Sequence, residues 1–178
     1  LMLKIALIYG AIAGSVIIAV MILGMILGGG HGSATGGALF GYTVMLLALV
    51  LIFLGVKRHR DQSLGGVIKF GPAFGLGVAI AAVAGVFYVL GWEINLAATD
   101  YAFISEYAQG MIDKKQAAGA SAEEIQKISA DMEKFAQQYK NPAFRMPITF
   151  LEIFPVGLLV ALVTAAILRN PKAFPARS

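Results

Sequence analysis

Glu152 is the ionisable residue whose setting points most directly to chemistry. It stands in Phe150-Leu151-Glu152-Ile153-Phe154-Pro155, inside an apolar run from Ile148 to Leu168. At 1.5 Å per helical residue it lies ~25 Å from Arg169 at the basic end of that run, within hydrocarbon and close to the far boundary. A carboxylate at such depth is costly and is by default a proton or ligand site. Pro155 has no N–H, so the Leu151 carbonyl loses its helical donor at the same place. Arg145, about two turns earlier on the same face, is the expected cationic partner. Glu152, Arg145 and Pro155 therefore make up the candidate ligand or proton site. The carboxylate is expected to face the interior, held by Arg145, Tyr9, Tyr42 or the freed backbone. A purely structural alternative stays open, in which Glu152 snorkels to the interface or is only neutralised by Arg145.

The other polar motifs offer less. Lys57-Arg58-His59-Arg60-Asp61 and Lys69 are basic groups beside apolar runs. Lys57, Arg58, Arg60 and Lys69 are candidate contacts for anionic lipid headgroups, although a topogenic role alone explains the turn, and Lys69 has Asp61 as an alternative partner. Gly28-Gly29-Gly30-His31-Gly32 imitates a phosphate cradle but lacks the Gly-Lys-Ser/Thr ending and a preceding strand; it reads as a tight turn. The two histidines, His31 and His59, fall on opposite sides of the deduced membrane, so one protomer cannot build a two-histidine metal site. No D-x-D-x-D-G pattern supports calcium. With no cysteine in the chain, disulfides, thiolate metal sites and cysteine nucleophiles are excluded. No catalytic residue, metal ligand or cofactor site is expected.

These residues must be positioned by four long apolar runs, at 3–27, 38–56, 67–90 and 148–168. About 20 helical residues span a hydrocarbon core of ~30 Å. The chain is 58% hydrophobic and 13% charged, too apolar to stay soluble at this size. The sequence therefore predicts an all-α integral membrane protein, a single domain over 1–178 built as a four-transmembrane-helix bundle. The first run is longer than the ~7–15 residues of a secretory core, so it is expected to be a retained helix rather than a signal peptide. The net charge of +4 is no nucleic-acid signature, because the unopposed basic residues flank apolar runs. Lys4, Lys57, Arg58, Arg60, Lys69, Arg169, Lys172 and Arg177 gather on one side, and the 28–37 loop carries none. Short basic loops stay inside, so both termini and the 57–66 turn are expected to be cytoplasmic.

The sizeable polar segment, 96–141, then lies outside and reads as an extramembrane helical hairpin between the third and fourth helices. Ser121 and Glu124 have capping-box spacing. Ile125, Ile128, Met132, Phe135 and Tyr139 form one apolar stripe, expected to be largely buried, and Asn141-Pro142 ends it. Tyr101, Ile104, Ala108 and Met111 form the opposing face. Nothing between Ala73 and Met111 forces a break, so the third helix is expected to run on toward the hairpin, with Trp92 marking the interface. Small residues recur every fourth position, at Ala6, Gly10 and Gly14, at Gly77, Ala81 and Gly85, and at Gly157, Ala161 and Ala165. Such faces let helix backbones approach closely in lipid, either within one protomer or between copies of a homo-oligomer.

Several stretches resemble the uncharacterised bacterial membrane-protein family called domain of unknown function 4199. They are Ile8 to Gly14, FGYTVMLLALVLIFLGVKRHRD from Phe40, LGGVIKFGPAFGLG from Leu64, and the segment from Asn141 containing FLEIFPVGL. Pro72 departs from the pattern, where a lysine or similar residue is expected. The resemblance implies a four-helix, multi-pass protein of the bacterial inner membrane and supplies no activity. Three functions remain. The first is a membrane scaffold or accessory subunit that presents the hairpin to a membrane-protein partner. The second is an oligomeric transport or binding protein for a small molecule or lipid, with its site near Glu152. A membrane-embedded enzyme comes last, since the membrane runs hold no paired histidines or dense carboxylate cluster.

Overall fold

The computed structural model describes residues 1–27 and 37–175 and is helical wherever it has regular structure. Its elements are α1 (Met2–Leu27), α2 (Gly37–Ser63), α3 (Phe70–Ala98), α4 (Phe103–Ala117), α5 (Ala122–Tyr139) and α6 (Pro142–Leu168). The glycine-rich turn with His31, and Arg177 in the tail, lie outside the described residues. Four of the helices, α1, α2, α3 and α6, are long and apolar enough to cross a membrane. Their outward faces carry Leu7, Leu23, Leu47, Leu54, Val86, Leu159 and Val163 exposed. In water such a surface would aggregate, so a lipid bilayer is its fitting surroundings.

α3 is the central element, packing along both α1 and α6, while α2 closes against α1 and α6 and more lightly against α3. The closeness of the α1–α3 and α3–α6 contacts rests on small residues. A Cβ on Gly10 would meet Val83 Cβ at 2.6 Å and the Ile80 carbonyl at 2.7 Å, and one on Gly14 would collide with the Ala84 carbonyl. On the other seam, a Cβ on Gly77 would lie 2.8 Å from that of Ala161, one on Gly157 2.7 Å from Ala81, and one on Gly85 2.5 Å from the Phe150 ring. All five glycines are thus engaged within one protomer. Between the seams, Ile17, Leu49, Ile52, Leu76, Ile80 and Ile153 are fully buried.

The helix ends differ from expectation at the end of α3 and the start of α6. α3 runs on past Leu90 and Trp92 toward α4 but stops short of it at Ala98, where the Thr99 amide and hydroxyl both bond the Asn95 carbonyl at 3.0 and 2.8 Å. Asp100 and Tyr101 then take positive φ, 48° and 58°, a conformation that breaks a helix without proline or glycine. α6 starts at Pro142, ahead of the apolar run. Asn141 caps it by accepting from the Ala143 amide at 3.0 Å, and Pro142 occupies the first turn, where no N–H is needed. Pro72 is tolerated for the same reason in the first turn of α3.

α5 begins on the expected capping box: Ser121 Oγ accepts from the Glu124 amide at 3.2 Å, and the Glu124 carboxylate accepts from the Ser121 amide at 2.9 Å. α4 and α5 pack on each other across Gly119, whose φ of 80° makes the turn. Their apolar faces are less covered than expected. Ile125, Ile128, Met132 and Phe135 are half-buried, and only Tyr139 of that stripe is buried.

Candidate functional site

Tyr88 on α3, not Arg145, holds Glu152: its hydroxyl donates to Glu152 Oε2 at 3.1 Å. Tyr88 sits on the same buried face as Ala81 and Ala84 and is itself buried, whereas Glu152 on α6 is exposed. The carboxylate therefore turns toward a protein partner while the rest of its side chain stays open. It does so at the edge of a cavity of ≈ 290 Å³. Met21 and Met25 of α1, Tyr88 and Trp92 of α3, Ile148 and Glu152 of α6, Phe103 and Tyr107 of α4, and Phe135 and Tyr139 of α5 line it. Five helices contribute.

The aromatic wall is cross-braced. Trp92 Nε1–H donates to the Tyr139 hydroxyl at 2.8 Å. The Trp92 and Phe103 rings meet edge-on at 4.8 Å, Phe103 stacks with Tyr107 at 5.8 Å, and Phe135 lies 5.6 Å from Tyr139. Burial pushes the Tyr139 hydroxyl above the ordinary phenol range, so it stays protonated and able to donate. Because the indole N–H can only donate, Tyr139 accepts there and its own proton is directed elsewhere. Glu152 has no ion pair among the described residues.

Arg145 belongs to a different cluster. It is 4% exposed and forms a bidentate pair with Glu93 of α3, Nε to Oε1 at 2.8 Å and Nη2 to Oε2 at 2.6 Å. Its Nη1 donates to the carbonyls of Lys140 at 2.9 Å and Tyr139 at 3.4 Å, and its guanidinium lies 5.3 Å from the Tyr101 ring centroid. The unusual φ of Tyr101 places that ring on the arginine. Glu93 and Tyr88 are the partners that sequence reasoning missed. The only signal for Glu93 was an acid directly after Trp92, and Tyr88 differed from its neighbours only in sharing the small-residue face. Pro155 lies within α6, one turn beyond Glu152, and the helix continues through it.

At the opposite end, the basic residues are mostly committed to the protein. Arg60 is fully buried: Nε donates to Asp61 at 2.7 Å, Nη1 to the Ala173 carbonyl at 2.8 Å, and Nη2 to the Phe174 carbonyl. It ties the tail to the end of α2 and offers nothing to a headgroup. Lys57 pairs with Asp61, which leaves Asp61 taken and Lys69 exposed at the start of α3. Arg58 is exposed, with Nε donating to Gln62 at 3.0 Å and Nη1 to the Tyr9 hydroxyl at 3.5 Å. Tyr9 is thus at the far end from Glu152. Among the described residues no group of three or more His, Asp or Glu is placed to hold a metal ion.

Residues 8–170 match the model of a family described as a protein of unknown function (DUF4199), and the chain belongs to that family. No curated protein and no solved structure matches it.

Proposed function

We propose that this member of the DUF4199 family is a multi-pass membrane protein that binds a small molecule in the aromatic cavity beside Glu152. The observation that carries the reading is a carboxylate with a single phenolic donor, Tyr88, at the edge of a cavity lined by six aromatic side chains. Ligand sites are mostly apolar concavities with a few convergent polar groups, and this one has that make-up. One chain suffices to form it, so a homo-oligomer is not required.

The wider setting follows from charge. Arg60 gathers the last turns of α2, which runs through the 57–61 basic stretch, and the tail at one end, with Lys4 near the start of α1. The positive-inside bias puts that end in the cytoplasm of a bacterial inner membrane, with both termini. The cavity then lies near the outer boundary of a four-helix bundle, roofed by α4 and α5 as an extramembrane hairpin. A scaffold role is the second reading. It is favoured by the half-buried stripe Ile125, Ile128, Met132 and Phe135, which leaves apolar area for a membrane-protein partner.

The test is thermal stabilisation of the purified protein in a non-ionic detergent by a panel of small cationic, neutral and anionic amphiphiles. At least one should raise the melting temperature, and Ile148→Trp, which fills the cavity, should abolish the rise. A panel with no hit, or a hit that Ile148→Trp leaves untouched, sinks the reading.

A further inference from the structure

Given a ligand in this cavity, we infer that it is an organic cation: an ammonium group with a small apolar body. The electrostatics of the lining carry this. Among the described residues, Glu152 is the only one of formal charge on the wall, and it is negative. No basic side chain neutralises it among the described residues; Arg145, the nearest cation along α6, is bound on both carboxylate oxygens of Glu93 and on two carbonyls. An unpaired carboxylate at a membrane boundary is expensive, and a ligand cation removes that cost.

The aromatic rings add to the same sign. An aromatic face carries negative quadrupole density and attracts ammonium groups, which is how aromatic cages hold quaternary ammonium ligands. Trp92, Phe103, Tyr107 and Tyr139 supply such rings around a volume of ≈ 290 Å³, just below the roughly 300–1,000 Å³ range of ligand pockets, which suits a small ligand. A metal ion would want several oxygen ligands, and one carboxylate among aromatics does not provide them. An anion would meet Glu152 directly. Met21, Met25, Ile148 and Phe135 suit the apolar body.

The experiment compares benzyltrimethylammonium with neopentylbenzene, which has the same shape with carbon in place of the charged nitrogen. Trp92 is the only tryptophan of the chain and lines the cavity, so its emission reports occupancy. In lipid-free non-ionic detergent the cation should bind at least about tenfold tighter than the neutral compound, and Glu152→Gln should erase most of that margin. Phe103→Leu keeps apolar volume without a ring face, and should weaken the cation more than the neutral compound; it stands in if Glu152→Gln does not fold. Equal binding of both compounds, with Ile148→Trp blocking both, overturns the cation while leaving the cavity a binding site. No binding of either compound sinks the inference and, with a silent panel above, the binding function too. Repeating the titration with added phosphatidylcholine separates the sources: competition assigns the ammonium to a lipid headgroup, and its absence to a soluble cation.

Discussion

Glu93 and Glu152 stand at the same end of the molecule, on adjacent helices, and are held in opposite ways. Glu93 is clamped by a guanidinium whose Nη1 is also taken up by two carbonyls. Glu152 has one phenol and an open flank. A bidentate arginine–carboxylate pair of this kind joins α3 to α6 and leaves neither group free to act. A carboxylate with spare acceptor capacity beside a cavity has the opposite property: it can take another partner without breaking a packed structure. The difference separates a lock from a candidate site.

The largest effect should come from opening the lock. Arg145→Met leaves Glu93 without its cation and the Tyr139 and Lys140 carbonyls without their donor. Removing one partner of a buried pair costs about 3 kcal/mol, and unfolding in mixed micelles should show a loss of that order. A loss below ~1 kcal/mol would mean that the pair is solvated in practice and that the contrast with Glu152 is false.

Next come the helix seams. Gly14→Ala drives a methyl into the Ala84 carbonyl, and a backbone must move to admit it. Overpacking of this kind costs ~1–3 kcal/mol. Gly75→Ala is the control, because nothing lies within 4 Å of that position; there the better helix former should stabilise by up to about 1 kcal/mol. If both variants behave alike, close approach of α1 to α3 is not what holds them.

The same contrast explains what the sequence could and could not disclose. The apolar runs, the Ser121–Glu124 box and the oddity of Glu152 are local features, written in spacing of a few residues. Tyr88 lies 64 residues from Glu152, and Glu93 lies 52 from Arg145; such pairings depend on how α3 and α6 are set against each other. Arg145 shares a helix face with Glu152, so local reasoning joined them, yet a bidentate acid across the seam outcompetes a neighbour along it. Asn141-Pro142 was legible as a boundary but not as both boundaries, since the same residues end α5 and cap α6. The aromatic lining comes from three helices, α3, α4 and α5, and has no contiguous motif.

A smaller effect is expected on the roof. Met132 is half-buried, so Met132→Ala should cost about 1 kcal/mol, below the ~2–5 kcal/mol of a fully buried methionine. A cost in the full range would place the α5 stripe in a closed core and remove the area that the scaffold reading needs.

The smallest effect on stability should come from Glu152→Gln, and its smallness is the point. Glutamine keeps the shape and an oxygen that can still accept from the Tyr88 hydroxyl. The bond in the variant is neutral to neutral and contributes only ~1 kcal/mol net, but what it loses in strength is offset by removal of a carboxylate charge that has no cationic partner among the described residues. No arginine is left unpaired, in contrast to what removal of Glu93 would do. Reversible unfolding of the variant should therefore lie within ~0.5 kcal/mol of the parent, and Tyr88→Phe, which takes the one donor from a charged carboxylate, should cost ~2 kcal/mol. If Glu152→Gln instead loses ~2 kcal/mol or more, the carboxylate is holding the fold as Glu93 does. If the variant is as stable as the parent, the charge at position 152 is not what holds the fold, and the contrast with Glu93 stands.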